Sequence, residues 1–175
     1  MPEPRLRRLE KELMDMQRLE EASSLISFTT HGNPPTKYTV SMSCYGLCKE
    51  TDTSGVIIYR TGQHAFEIIL DQQFPHVAPQ IVWKTPIFHP NFRGTSVCVG
   101  DFWYPGWSIA ELCVALCEMV QYKHFNLWDP LDPEAALWLL TQFENPEAPF
   151  PVDHRPVRDL HFAVTVKTRP KGDQA

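Results

Sequence analysis

The sequence predicts an α/β domain of the α+β kind, in which a four-stranded antiparallel meander is flanked by an N-terminal helix and C-terminal helices. An amphipathic helical pattern opens the chain, four β-like stretches with short connections follow, and two helical patterns come after residue 107. Strands that follow one another through short turns pair antiparallel, whereas parallel strands need a long crossover. The 175 residues are enough for one domain with a substantial core.

The first helix is predicted over roughly residues 4–23, because apolar side chains recur there at helical spacing between charged ones. These apolar positions are Leu6, Leu9, Leu13 and Met16. The strands are predicted at about 25–30, 37–44, 55–60 and 65–70. Polar or turn-forming segments at 32–35, 49–54 and 60–63 separate them.

The segment from 74 to 107 is rich in proline, glycine and aromatic residues, which predicts an irregular but packed structure. Its aromatic anchors are Trp83, Phe88, Phe102 and Trp103. Two helices are predicted after it. The first begins behind Ser108 as N-cap and runs to about 122. The second begins behind Asp132 as N-cap, with Pro133 at its first position, and runs to about 144.

The predicted domain covers residues 4–144, and residues 145–175 form a divergent, proline-rich C-terminal extension. In this extension the apolar residues Leu160, Phe162, Val164 and Val166 alternate with His161, Ala163, Thr165 and Lys167. Such a period of two predicts a strand at 160–168.

Composition limits the classes of function and the location of the protein. The net charge of −5 argues against nucleic acid as a partner, and no apolar run is long enough to span a membrane. The N-terminus is polar and lacks the apolar stretch of a secretory signal. Five cysteines without an export signal favour free thiols, so a reducing, cytoplasmic location is expected.

One thiol follows a carboxamide at close range, because Cys98 lies a short loop after Asn91. A thiol can carry an acyl group, and a carboxamide can donate a hydrogen bond to a developing oxyanion. The pair therefore indicates acyl transfer through a thioester. The alternative is that Cys98 is a small buried apolar residue, which is common for cysteine.

Other arrangements of reactive residues point to weaker hypotheses. Cys113 and Cys117 are four residues apart on a helix, but zinc usually takes four ligands and no matching pair appears. Core packing is favoured for both, and neither a metal nor a cofactor is predicted. The segment 106–110 begins like a nucleophile elbow but lacks its second glycine. A thiol redox protein would need a resolving cysteine near Cys98, and none is near in sequence.

Several motifs occur in order along the chain: Arg8-Leu9-Glu10-Lys11-Glu12-Leu13, Phe74-Pro75, Ala78-Pro79, His89-Pro90-Asn91, Cys98, Trp107-Ser108, and Asp129-Pro130-Leu131 with Pro133-Glu134. This order resembles that of the ubiquitin-conjugating enzyme family over roughly residues 4–144. The resemblance implies the ubiquitin-conjugating fold. It also implies that Cys98 accepts the C-terminal glycine of ubiquitin or a ubiquitin-like protein from an activating enzyme, and that a lysine amine of a target then attacks the thioester.

The resemblance also implies roles for residues around Cys98. Asn91 would stabilise the oxyanion or hold the active-site loop in shape. His89 would tie that loop, with a general-base role as the lesser alternative, and Pro90 and Asn126 would help to shape it. Asp129 would orient the incoming amine and favour its neutral form, or would be only a turn residue.

Two charged features are open to two interpretations each. Asp101 would contact the tail of the modifier, or it is a solvated loop carboxylate. The first helix carries a basic face of Arg5, Arg7, Arg8 and Lys11. In the family the corresponding helix meets the activating enzyme, whereas a basic helix face is otherwise only solvated.

The chain also departs from the family pattern. His76 and Ile109 stand where members that work with ligases often carry an exposed aromatic residue and a proline, which argues against a conventional RING- or HECT-type ligase as partner. The usual final helices are not visible after residue 144. These departures resemble a stand-alone prokaryotic member, like the conjugating components of bacterial ubiquitin-like operons, some of which are linked to antiphage defence. The rival hypothesis is a non-catalytic binding module of the same fold, although such variants typically lack the cysteine.

Overall fold

The computed structural model describes residues 3–100, 103–144 and 152–159. Helix α1 spans Pro4–Glu21, and the strands are β1 (Ile26–Gly32), β2 (Pro35–Met42), β3 (Gly46–Asp52), β4 (Gly55–Thr61), β5 (His64–Ile69), β6 (Gln80–Trp83), β7 (Phe92–Arg93) and β8 (Ser96–Val97). Helices α2 (Ile109–Val120) and α3 (Pro133–Phe143) follow. The predicted strand at 160–168 lies outside the described residues. No helix in the described ranges is both long and apolar enough to cross a membrane.

The main sheet has four antiparallel strands in the order β1-β2-β5-β6, which confirms the predicted fold class. Its inner face follows the period of two in β5, where His64, Phe66 and Ile68 are buried. Phe66 pairs with Val40 of β2, which is also fully buried. This face packs against α1 and α2 and forms the main hydrophobic core.

Two strand predictions are wrong in detail. The stretch predicted as the third sheet strand, 55–60, belongs to β4, which pairs with β3 in a separate two-stranded hairpin. The predicted turn at 49–54 contains the end of β3, whose last residues are polar because they face solvent. The fourth strand of the sheet is β6, a four-residue strand in the segment predicted to be irregular.

The caps of α2 and α3 confirm the predicted beginnings of these two helices. The Ser108 hydroxyl accepts a hydrogen bond from the Glu111 amide at 3.2 Å. The Asp132 carboxylate accepts from the amides of Glu134 and Ala135, and Pro133 occupies the first helical position. Helix α2 ends at Val120, two residues before the predicted end.

The cysteines of α2 lie in the core. Cys113 Sγ is 3.8 Å from Met16 Sδ, and Cys117 Sγ is 3.6 Å from Cys44 Sγ. Burial raises the pKa of the Cys113 thiol, which keeps it protonated. Within the described ranges no group of three His, Cys, Asp or Glu side chains is placed to hold a metal ion.

A buried carboxylate joins α1 to the start of α2. Glu12 is fully buried, and its two oxygens accept from Arg8 Nε and from the Ile109 amide. The Arg8 guanidinium also donates to the carbonyls of Pro105 and Trp107. The segment that leads into α2 is therefore fixed to α1 by polar contacts as well as by packing.

A second, smaller apolar cluster forms where the β3–β4 hairpin meets α3. Its buried members are Leu47, Phe88, Tyr122, Ala135, Leu139 and Val152. Ile58 of β4 packs against it, and Lys49 of β3 pairs with Glu134 at the start of α3. This cluster lies under the loops that carry the candidate site, because Phe88 and Tyr122 flank His89 and the end of α2.

Candidate active site

The carboxamide of Asn91 connects two loops. Its Nδ2 donates to the Cys98 carbonyl at 3.0 Å, and its Oδ1 accepts from the Asn126 amide at 2.8 Å. The Cys98 amide in turn donates to the Asn91 carbonyl at 2.8 Å. The structure thus brings together Asn91, Cys98 and Asn126, three of the residues predicted from the sequence.

The tight return of the chain from Asn91 to Cys98 is made by β7 and β8. These two strands pair Phe92 with Val97 and Arg93 with Ser96. Gly94, between them, has φ of 59°, in the left-handed region that favours glycine. This small hairpin returns Cys98 beside the backbone of Asn91.

His89 is fully buried beneath this loop. Its Nδ1 accepts from the Asn91 amide at 3.0 Å, and its ring packs edge-on against Phe92 and Tyr122. Burial lowers the pKa of His89 to about 3, so the ring is neutral and acts as an acceptor near neutral pH. These contacts favour the structural role over the general-base role.

The pH dependence of stability tests this placement of His89. An unfolded His89 binds a proton below about pH 6.5, whereas the folded one binds it only near pH 3. Stability should therefore fall on acidification, and His89 alone accounts for about 2 kcal/mol between pH 7.5 and 5.0. Urea unfolding of His89→Gln should show a shallower pH dependence. The matched variant His31→Gln removes an exposed histidine and should behave as wild type; equal slopes in all three proteins would refute the assignment.

Pro90 and Asn126 lie in hydrogen-bonded turns around the site. The Pro90 carbonyl accepts from the Asp132 amide at 3.0 Å, which joins the His89 loop to the cap of α3. Asn126 Oδ1 accepts from the amides of Trp128 and Asp129 at 2.9 and 3.2 Å. These contacts favour a loop-shaping role for both residues.

Asp129 is exposed on the same loop. It is not among the residues that line the cavity at Cys98. Its backbone carbonyl accepts from Asn126 Nδ2 at 3.4 Å. The structure therefore does not bring Asp129 into the cavity that Cys98 lines. The other acidic candidate, Asp101, lies outside the described residues.

Cys98 lines a cavity of about 420 Å³ together with Asn91, Gly100, Met119, Lys123, His124, Phe125 and Asn126. It is half-buried, whereas the other four cysteines, all in described positions, are buried. A reactive thiol needs such partial access, while a buried structural cysteine is inert. Accessibility thus separates Cys98 from every other cysteine of the chain.

Sequence reasoning missed two ionisable residues beside this cavity. His124 Nε2 lies 3.2 Å from Glu118 Oε2, and His124 lines the cavity at Cys98. The two residues are six apart and span the end of α2, so no helical spacing relates them. Tyr122, whose φ of 61° is unusual for a residue with a bulky side chain, turns the chain there.

The predicted basic face of α1 is partly used within the molecule. Arg8 is bound to Glu12 and to the segment before α2, and Lys11 pairs with Asp15. Arg5 donates to the Asp71 carbonyl at 2.9 Å, and Arg7 is exposed. Two of the four positive charges are therefore neutralised by carboxylates of the same helix.

Comparison with known proteins agrees with the fold and the motifs. The family model described as ubiquitin-conjugating enzyme matches residues 8–148. The chain is 30% identical over 88 residues to ubiquitin-conjugating enzyme E2 16 of Schizosaccharomyces pombe, covering 47% of this chain and 54% of that protein. It is 32% identical over 94 residues to the Nedd8-conjugating enzyme UbcE2M of Drosophila melanogaster, covering 50% and 51%.

A structural comparison gives the same architecture. The E2 domain of a Toxoplasma gondii ubiquitin conjugating enzyme superposes with a TM-score of 0.56 at 22% sequence identity, covering 78% of this chain and 87% of that one. At this identity the likeness concerns the fold alone. The chain spans about half the length of the curated relatives it matches.

Proposed function

The chain belongs to the ubiquitin-conjugating enzyme family, and from this membership we propose that it carries a ubiquitin-like protein as a thioester on Cys98 and transfers it to a lysine amine of a target. The observation that supports this most directly is the half-exposed Cys98, held beside a cavity by the Asn91 carboxamide. In the first step the Cys98 thiolate attacks the thioester of an activating enzyme, whose own thiolate leaves.

In this mechanism Asn91 has both a structural and a chemical role. One N–H of its amide already donates to the Cys98 carbonyl, and its oxygen accepts from Asn126. An amide nitrogen carries two N–H donors. The second N–H is the one that would donate to the oxyanion formed on the thioester carbonyl. Asp129, exposed on the loop beyond Asn126, would orient the incoming amine.

The modifier belongs to the ubiquitin-like class in this proposal, without a choice among its members. The relatives include enzymes named for ubiquitin, SUMO and Nedd8, all at similar identity. The proposed donor of the modifier is an activating enzyme. The proposed docking face for that enzyme is the exposed Arg7 together with Arg5. A cytoplasmic location and a bacterial antiphage system rest on the sequence alone, and genes for an adjacent activating enzyme and modifier would support them.

We also propose that the protein transfers its modifier without a conventional RING- or HECT-type ligase. Ile109, at the position where a ligase would meet a proline, is fully buried and its amide is bound to Glu12. It offers no side-chain surface to a partner. His76 is exposed beside Phe74 and Pro75 but presents an imidazole in place of a large aromatic ring.

Direct loading tests the proposed function without a known activating enzyme. Ubiquitin carrying a C-terminal thioester of a small thiol is incubated with the protein. We expect an adduct with the summed mass less that of the small thiol, cleaved by reductant, and mapped by mass spectrometry to Cys98. Tight binding of ubiquitin without any adduct would support the non-catalytic binding module instead, and an adduct on another cysteine would refute the site.

A further inference from the structure

We propose that His124, oriented by Glu118, takes the proton from the lysine amine that attacks the Cys98 thioester. This inference rests on the proposed function, because it assigns a residue to the second half of that reaction. It concerns a pair that the sequence motifs do not mark. The supporting observations are one hydrogen bond, two adjoining cavities and the placement of the other ionisable groups.

The hydrogen bond fixes which nitrogen of His124 is available. Nε2 faces the Glu118 carboxylate at 3.2 Å, so in the neutral ring this nitrogen carries the hydrogen and donates it. Nδ1 then holds the lone pair and can accept a proton. A carboxylate that binds the far nitrogen of an imidazole both orients the ring and stabilises its protonated form.

His124 lies where two cavities meet. It lines the 420 Å³ cavity that contains Cys98, and also a second cavity of about 230 Å³ between α2 and the segment after Cys98. Met119 borders both cavities as well. Because His124 and Cys98 line the same cavity, an acceptor side chain bound there would have the imidazole at hand. The imidazole is exposed and can release its proton to water.

The other ionisable groups around the site are less suited to this step. His89 is buried and accepts a backbone hydrogen bond, so it does not reach the cavity. Asp129 does not line the cavity. Lys123 does, but its ammonium donates to the Arg155 carbonyl at 2.7 Å and carries the wrong charge to accept a proton. Among the described residues that line either cavity with His124, the titratable ones are Cys98, Glu118 and Lys123.

The proton transfer to His124 precedes the attack on the thioester. A lysine amine is protonated near neutral pH, and only its neutral form is a nucleophile. The proton of the lysine ammonium passes to His124 Nδ1, and the neutral amine nitrogen then bonds to the thioester carbonyl carbon. The tetrahedral intermediate loses its second nitrogen proton to solvent and expels Cys98 as thiolate, leaving an amide, and His124 returns its proton to solvent. Glu118 acts as a positioning residue, since its carboxylate binds the imidazole and it does not line the cavity that contains Cys98.

Single-turnover discharge from the preformed ubiquitin adduct tests this role, because the rate of loading does not enter the measured rate. His124→Gln should release ubiquitin to free lysine about 100-fold more slowly than wild type, at the low end of the usual contribution of a general base. Discharge to hydroxylamine, which is already uncharged at neutral pH, should keep the wild-type rate. The pH profile for lysine should lose the inflection that an imidazole gives.

Two further variants complete the experiment. Glu118→Gln keeps a hydrogen-bond acceptor for Nε2 but removes the charge, and it should slow lysine discharge less than His124→Gln does. His31→Gln, on exposed β1, should discharge as wild type. Equal slowing of both amines by His124→Gln would reveal a merely structural role, and unchanged rates with lysine would overturn the proposal. In both cases the wild-type adduct would still support the proposed function.

Discussion

Cys98→Ala is expected to give no adduct with the ubiquitin thioester, and Cys98→Ser is expected to give an adduct that reductant does not cleave. Without the sulfur there is no nucleophile to take the acyl group, so no covalent intermediate can form. A serine oxygen forms an ester, which persists in reductant and transfers slowly to amines. Non-reducing gels and intact-mass measurement distinguish the three outcomes.

The control for this experiment uses a cysteine outside the site. Cys48 is buried on β3 and does not line the cavity at Cys98, so Cys48→Ala should load like wild type. Circular dichroism of each variant establishes that it is folded. A reductant-cleaved adduct that persists in Cys98→Ala would exclude Cys98 as the acceptor.

Glu12→Ala is expected to lower the free energy of unfolding by about 3 kcal/mol, the cost of breaking a buried ion pair by removing one partner. The substitution leaves the Ile109 amide without its acceptor and the half-buried Arg8 guanidinium without its carboxylate. It also creates a small cavity between α1 and α2. A loss of this size is a large part of the stability of a typical domain.

Urea denaturation followed by tryptophan fluorescence measures this effect. Glu10→Ala is the matched control, because Glu10 is exposed on the same helix and its loss should change stability by less than about 0.5 kcal/mol. Glu12→Gln keeps an acceptor for the Ile109 amide and should fall between wild type and Glu12→Ala. If Glu12→Ala unfolded at the same urea concentration as Glu10→Ala, the Glu12 contacts would not stabilise the junction.

The helices could be predicted from sequence because their signals are local. Ser108 and Asp132 each cap a helix through amides two or three residues away, so cap and helix start are read together. The hairpin of β3 and β4 could not be predicted in the same way. Its far end faces solvent, so the residues there are polar and resemble a turn. Strand β6 was missed because four residues between prolines are too few to show a period.

In the site, too, the contacts between residues close in sequence could be predicted and the distant ones could not. Asn91 and Cys98 are close in sequence, and their pairing was predicted from that spacing. The contact of Asn91 with Asn126 joins residues 35 apart, and only the fold brings them together. The pairing of His124 with Glu118 depends on how the chain turns at Tyr122 after α2. Such a turn leaves no periodic signal in the sequence.

The bridge that Asn91 makes has a thermodynamic consequence. One rigid amide group contacts the backbone of Cys98 on one side and that of Asn126 on the other. If acceptor binding at the Asn126 loop shifts this group, it changes the free energy of the loaded state at Cys98. Coupling free energies are reciprocal, so loading would change acceptor affinity by the same factor. A protein built in this way can bind acceptors more tightly while Cys98 carries the acyl group, and release them once the thiol is free.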